Sequence, residues 1–184
     1  MTTNLKKKII DILLKEKKKE YLCHIQYVLK IAMKLTKDCK DYDIDPEIIE
    51  LSCLLHDIGR GKELEGEGHS QTGKRITEEI LQNSKFSNEK KQKIYSCILS
   101  HNSPSVPKSI EEEIVRSADA GSKVEYHEAF MLMCKKNTYE ERLAWGIKYL
   151  QKGFDEISID LYKEKCKPKY NSIIEIYNNI FKEI

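Results

Sequence analysis

Apolar positions along the 184-residue chain recur at three- and four-residue intervals, and nowhere do they alternate as a half-buried strand requires. Leu22, Ile25, Leu29 and Ala32, flanked by Val28 and Ile31, predict a helix over 21–36. Asp45 followed by Pro46 is an N-cap with proline at the first helical position, opening a helix expected to run to about Ile58. Past Glu50 that helix is apolar on most sides, which marks it as central. Gly59, Gly61, Gly66 and Gly68 then break the pattern as a loop. Helices follow over about 69–81 and 88–101, the second capped by Ser87. Pro104 and Pro107 mark a turn. Ser109 with Glu112 reads as a capping box starting a helix toward Asp119, and Thr138 with Glu141 as another. Ile173, Tyr177, Ile180 and Ile184 predict a closing amphipathic helix. The expectation is an all-α fold of eight or more helices, in one domain spanning 1–184.

Composition adds limits. Apolar content of 40% and charged content of 34% describe an ordinary soluble globular protein. The formal charge of +2, with acids and bases interspersed, makes no single-sign field, so neither a nucleic acid polymer nor a membrane is indicated as partner. The basic runs 6–8 and 15–19 share their segment with Leu5, Ile9, Ile10, Leu13 and Leu14, and read as the solvated face of an amphipathic helix. No apolar run approaches the roughly 20 residues of a membrane span, and the start lacks a signal-peptide core. The six cysteines contain no CxxC pair and read as reduced, buried thiols, which sets aside a thiolate metal site or nucleophile. The expected location is the cytoplasm.

The chemistry concentrates at LSCLLHDIGR, residues 51–60, where an apolar run delivers His56 and Asp57 toward the interior. A carboxylate carried into a core is costly unless its charge is compensated. His24 continues the apolar face of its helix, and His101 that of Ile94, Cys97 and Ile98. Asp57 lies one turn beyond Cys53 and Leu54, Asp119 one turn beyond Val115, and His69 opens a helix after the glycine loop. Taken singly, each reads as a core histidine or a capping or paired aspartate. Arg60, Arg75 and Arg116 are too few to pair with all of them. Four imidazoles and two carboxylates inside one bundle match the ligands of a hard or borderline divalent cation, which also compensates a buried carboxylate. His127, between Tyr126 and Glu128, is expected at the surface or behind the ligands rather than among them.

The ordered set His24, His56-Asp57, His69, His101, Asp119 resembles the H…HD…H…H…D signature of the HD-domain metal-dependent phosphohydrolase superfamily. The resemblance covers about 20–125, with 126–184 as a helical elaboration. It implies a compact HD-domain helical bundle around a buried metal site, with His24, His56, Asp57 and Asp119 ligating one metal. His69 and His101 resemble the additional ligands of the dinuclear subgroup, in which Asp57 touches both metals. The implied cofactors are two divalent ions, from among iron, manganese, cobalt, nickel and zinc. Gly73, in His69-Ser-Gln-Thr-Gly73, suits close helix packing. Arg60 stands where many relatives carry lysine, and the GYP-type loop associated with cyclic dinucleotide hydrolysis is absent.

The resemblance implies a phosphomonoesterase or phosphodiesterase acting on a nucleotide or other small phosphorylated metabolite. The metals acidify bound water to supply hydroxide and neutralise charge on the phosphoryl oxygens. Asp57 and Asp119 are the candidate catalytic carboxylates, ligands first and either able to accept the water proton. Arg60, Lys74 and Arg75, with Lys62 nearby, are candidates for binding substrate phosphate. The same resemblance leaves two alternatives open: a di-iron oxygenase of this fold, and a non-catalytic metal- or nucleotide-binding regulatory module.

Overall fold

The structure, a computed structural model, describes residues 2–16 and 19–183. Lys17, Lys18 and Ile184, which the basic run and the closing helix include, lie outside the described residues. Among the described residues there are nine helices and no strand: α1 Thr2–Glu16, α2 Lys19–Asp38, α3 Pro46–Leu55, α4 His69–Leu81, α5 Asn88–Ser100, α6 Ile110–Glu125, α7 His127–Met131, α8 Tyr139–Glu156 and α9 Asp160–Glu183. The all-α expectation is met.

Local capping chemistry explains where several helices begin. The Asp45 carboxylate accepts from Glu47 N at 2.9 Å, and Ser87 Oγ from Lys90 N at 3.2 Å. Thr138 and Glu141 form a reciprocal box, with distances of 3.2 and 3.4 Å. Ser109 Oγ accepts from Glu112 N, but the Glu112 carboxylate returns to Lys108 N at 3.0 Å rather than to Ser109. At α4, Gly68 N donates to Gln71 Oε1 at 3.0 Å.

The centre of the fold is α6, which packs against α2, α3, α5, α8 and α9. It buries Ile114, Val115, Ala118 and Val124, while α2 buries Ile25, Val28, Ile31, Ala32 and Leu35. On α1, Ile9 and Leu13 are buried but Ile10 and Leu14 are exposed, so its apolar face is narrower than its composition implies. The short α7 carries no periodicity of its own, and α9 starts at Asp160, well before Ile173, where the predicted closing pattern begins. No helix among the described residues is long and apolar enough to cross a membrane.

The helix opened by Pro46 ends at Leu55, three residues earlier than its pattern suggests. Beyond it, the chain changes to tighter i→i+3 bonds, Ile58 N to Leu55 O at 3.0 Å and Arg60 N to Asp57 O at 3.2 Å. The cause is crowding: Gly59 lies so close to α4 that an added Cβ would overlap the His69 carbonyl and lie 2.5 Å from Gly73 N. Both obstacles are backbone and cannot rotate away. Gly59→Ala is therefore expected to destabilise by about 1–3 kcal/mol, the usual cost of overpacking. Urea melts of wild type and variant measure it.

Candidate metal centre

Each candidate ligand sits where helix geometry presents it inward. His24 lies on the buried face of α2 and Asp119 on that of α6, 8% and 3% exposed. His56 and His101, both fully buried, are the C-cap residues of α3 and α5. His69 is the first residue of α4, and Asp57 stands in the turn after α3. These six converge into two triads: His24, His56 and Asp119, then Asp57, His69 and His101, with donor atoms within 4.8 Å of one another in each.

The contacts within the triads are close. His24 Nε2 lies 3.2 Å from His56 Nε2 and 3.1 Å from Asp119 Oδ1. His69 Nε2 lies 3.2 Å from His101 Nε2. Asp57 reaches toward both groups. Its Oδ2 is 3.7 Å from His56 Nε2 and its Oδ1 is 3.6 Å from His101 Nε2. That Oδ1 is buried with no hydrogen-bond partner.

Two histidines have their tautomers set by the helix ends. His56 Nδ1 lies 2.8 Å from the Cys53 carbonyl and His101 Nδ1 lies 2.6 Å from the Ile98 carbonyl. A carbonyl only accepts, so each Nδ1 carries the proton and each Nε2 turns a lone pair inward. Burial, with the neighbouring histidines, pushes His56 down to about 4 despite the nearby carboxylates. Burial, then Arg60 beside it, pushes His69 down to about 4 as well. Burial alone would raise Asp57, but His56, His101 and Arg60 hold it well below the usual carboxylate range. Asp119 behaves likewise: burial opposes its charge, and Lys123 and His24 override it. At neutral pH His56 and His69 are thus unprotonated and Asp57 and Asp119 ionised, which is the state a metal ligand needs. An orphaned carboxylate oxygen facing imidazole lone pairs fits divalent cations. Among the described residues, none after Tyr126 contributes a donor to either triad.

A cavity of about 230 Å³ opens onto both triads, lined by Asp57, Arg60, His69, Asn102, Asp119 and Lys123 among others. Of the sequence-predicted phosphate binders, the structure brings only Arg60 here, its Nε against Asp57 Oδ2 at 2.5 Å. Lys74 pairs with Glu78 at 2.9 Å, and Arg75 with Glu67 at 3.3 Å; neither lines this cavity. Pattern reading missed Lys123, Lys152 and Asn102. Lys123 Nζ lies 3.0 Å from Asp119 Oδ2, and its i+4 spacing from that aspartate was the available signal. The Asn102 amide lies 2.6 Å from His69 Nε2. His127 is buried rather than at the surface, with Nε2 2.6 Å from Tyr177 Oη, and is no part of the centre.

A helical bundle that gathers four imidazoles and two carboxylates at its centre has the donor set from which all-α proteins build metal sites. Residues 21–123 match the HD-domain family model, and the chain belongs to the HD-domain family. Over 102 residues it is 32% identical to ribonuclease Y of Borreliella burgdorferi, and equally so to that of Borreliella afzelii. The match takes in 54% of this chain, which spans only 18% of the length of those curated relatives. Among solved structures, the fold resembles that of Bacillus subtilis YpgQ in complex with ADP, with a TM-score of 0.66, 17% identity and coverage of 99% and 94% of the two chains. It also resembles a predicted HD superfamily hydrolase from an uncultured Thermotogales bacterium, with a TM-score of 0.61, 20% identity and coverage of 96% and 91%.

A cation bound only by the folded state stabilises it by mass action. Manganese(II) at a hundredfold excess over its dissociation constant is expected to add about 2.7 kcal/mol. Thermal melts with and without chelator measure this, and Asp57→Ala should abolish the increment.

Proposed function

We propose that this protein is a metal-dependent phosphohydrolase acting on a nucleotide or other small phosphorylated metabolite. The observation that carries this reading is the pair of donor triads joined through Asp57 beneath a cavity ringed by cationic side chains. His24, His56 and Asp119 would hold one divalent cation, His69 and His101 a second, with Asp57 shared. When bound, such cations supply Lewis acidity toward a phosphoryl oxygen and lower the pKa of water.

The chain's own residues do the rest. Arg60 and Lys123 each lie against a carboxylate oxygen at the cavity edge, where they can turn to a substrate phosphate. Lys152, half-exposed and lining the same cavity, is a third cation there, 3.9 Å from the Glu156 carboxylate that shares the wall. Asp57 and Asp119, ionised at neutral pH, orient water and accept its proton as it attacks. The hydrogen bonds from His56 and His101 to backbone carbonyls fix the ring orientations, so the donor set is preorganised before any ligand arrives. The fold neighbour YpgQ in complex with ADP supports the nucleotide reading. The likeness to ribonuclease Y, over 18% of that protein's length, supports including phosphodiesters among the candidate substrates.

The test is phosphate release by metal-loaded protein from a panel of nucleotides, sugar phosphates and diesters, with an RNA oligonucleotide as comparison. Turnover of small esters is expected, and Asp57→Ala should lower kcat/KM by about a hundred- to a thousandfold. Full activity in that variant, or cleavage of the oligonucleotide alone, would falsify the reading. The same assay separates the candidate phosphate binders. Arg60→Ala should raise KM by about tenfold, a loss of one charge-assisted contact, whereas Lys74→Ala and Arg75→Ala should leave it unchanged.

A further inference from the structure

The cavity over the triads is small. At about 230 Å³ it falls below the range of roughly 300–1,000 Å³ typical of pockets that enclose an organic ligand. A second hollow of about 420 Å³ lies beside it, between the start of α2 and α7 with the turn that follows. His24, Phe130 and Met133 line both. His24 makes the relation close: its Nε2 faces Asp119 and His56, while its Nδ1 lies 3.4 Å from Ser122 Oγ, and Ser122 lines the second hollow. One imidazole ring therefore separates the donor triad from this chamber.

The chamber's walls are aromatic and apolar. Tyr27 and Tyr126 stack at 3.8 Å with an interplanar angle of 10°, and Phe130, Ala129 and Met133 continue the surface. Beside the His24 ring and the hydroxyls of Tyr27 and Tyr126, its polar side chains are few. Lys19 and Glu20 are exposed at the first turn of α2, and the Ser122 hydroxyl already donates to the Asp119 carbonyl at 2.7 Å. A sugar phosphate would leave its hydroxyls poorly matched here, at a cost for each unpaired group. A nucleobase suits the walls, because every base has a face that stacks on aromatic rings without a hydrogen-bond code.

We propose that this chamber is the nucleoside subsite of the centre, so that the substrates are nucleotides, with little discrimination among bases. The proposal rests on the hydrolase reading above for the placement of the phosphate, at the triads with Arg60. The remainder of the substrate passes Phe130 and Met133 into the chamber. The short α7, which the hydrophobic pattern does not announce, then has a role as the wall shared by both compartments.

Adenosine carries no phosphate, so its binding to chelator-treated protein, followed by calorimetry, reads the chamber alone. Binding is expected, and Ala129→Trp, which fills the chamber from α7, should weaken it by about tenfold or more, the low end of what stacking one base supplies. With metal present, AMP should exceed ribose 5-phosphate in kcat/KM by a similar factor, and the variant should lose that preference through KM. Should Ala129→Trp fail to fold by circular dichroism, Tyr27→Ala serves, with the same weakening expected. Esters hydrolysed without adenosine binding or an AMP preference would overturn the subsite and leave the hydrolase standing. Adenosine binding without hydrolysis of any ester would uphold the chamber and sink the hydrolase. A preference for octyl phosphate over AMP, or equal losses on both substrates in the variant, would also overturn the subsite.

Discussion

Two ionised carboxylates, each about 3% exposed, sit at the centre of this helical bundle, and their desolvation constrains everything around them. Arg60 answers one oxygen of Asp57, and Lys123 one oxygen of Asp119. His56 and His69 do not serve as further counter-cations at neutral pH, since burial pushes both down to about 4. Asp57 Oδ1 is left buried without a hydrogen bond, facing nitrogen lone pairs. A packed interior tolerates such a group when something outside the chain completes it, and HD-domain proteins bind divalent metals. The stability of the fold and the chemistry of the site are in this sense one problem.

The surrounding structure keeps that problem local. Arg116 spends its guanidinium on backbone carbonyls, those of Ser100, Ser105 and Glu156, tying the segment after α5 to the end of α8. Ser103 N and Oγ donate to Glu156 Oε1 at the same junction. These bonds anchor the segment that carries His101 and Asn102, and they hold Glu156 at the wall of the cavity. Gly59 and Gly73 bring the turn after α3 against α4, so that His69 arrives opposite His101. Rigid placement of donors is what coordination by several separate helices requires.

Much of this was legible in sequence because it follows from periodicity and from charge placed against periodicity. The apolar faces of α2, α5 and α6 carried His24, His101 and Asp119 inward by spacing alone, and the cap residues located the helix starts. What was missed is partly local pairing and partly contact between segments distant in the chain. Lys74 and Arg75 are near the signature in sequence, yet α4 turns them toward Glu78 and Glu67. Lys152 reaches the cavity from the opposite end of the chain, by the packing of α8 on α6. The end of α3 at Leu55 reflects a backbone approach between Gly59 and α4 that no local propensity encodes.

His56 and His101 show how helix termination itself becomes part of the centre. A helix leaves its last carbonyls without intrahelical partners, and at α3 and α5 the carbonyl three residues before the C-cap is met by the C-cap histidine's own Nδ1. One bond thus satisfies an orphan acceptor, fixes the tautomer and aims the Nε2 lone pair at the centre. His127 makes the comparison instructive. Its Nδ1 lies 3.2 Å from the Lys123 carbonyl at the end of α6, the same local device, but its Nε2 meets the Tyr177 hydroxyl and binds α7 to α9. The backbone bond therefore prepares a histidine without deciding its use. Whether the freed nitrogen becomes a ligand depends on what the fold sets opposite it: a carboxylate and another imidazole for His56 and His101, a phenol for His127.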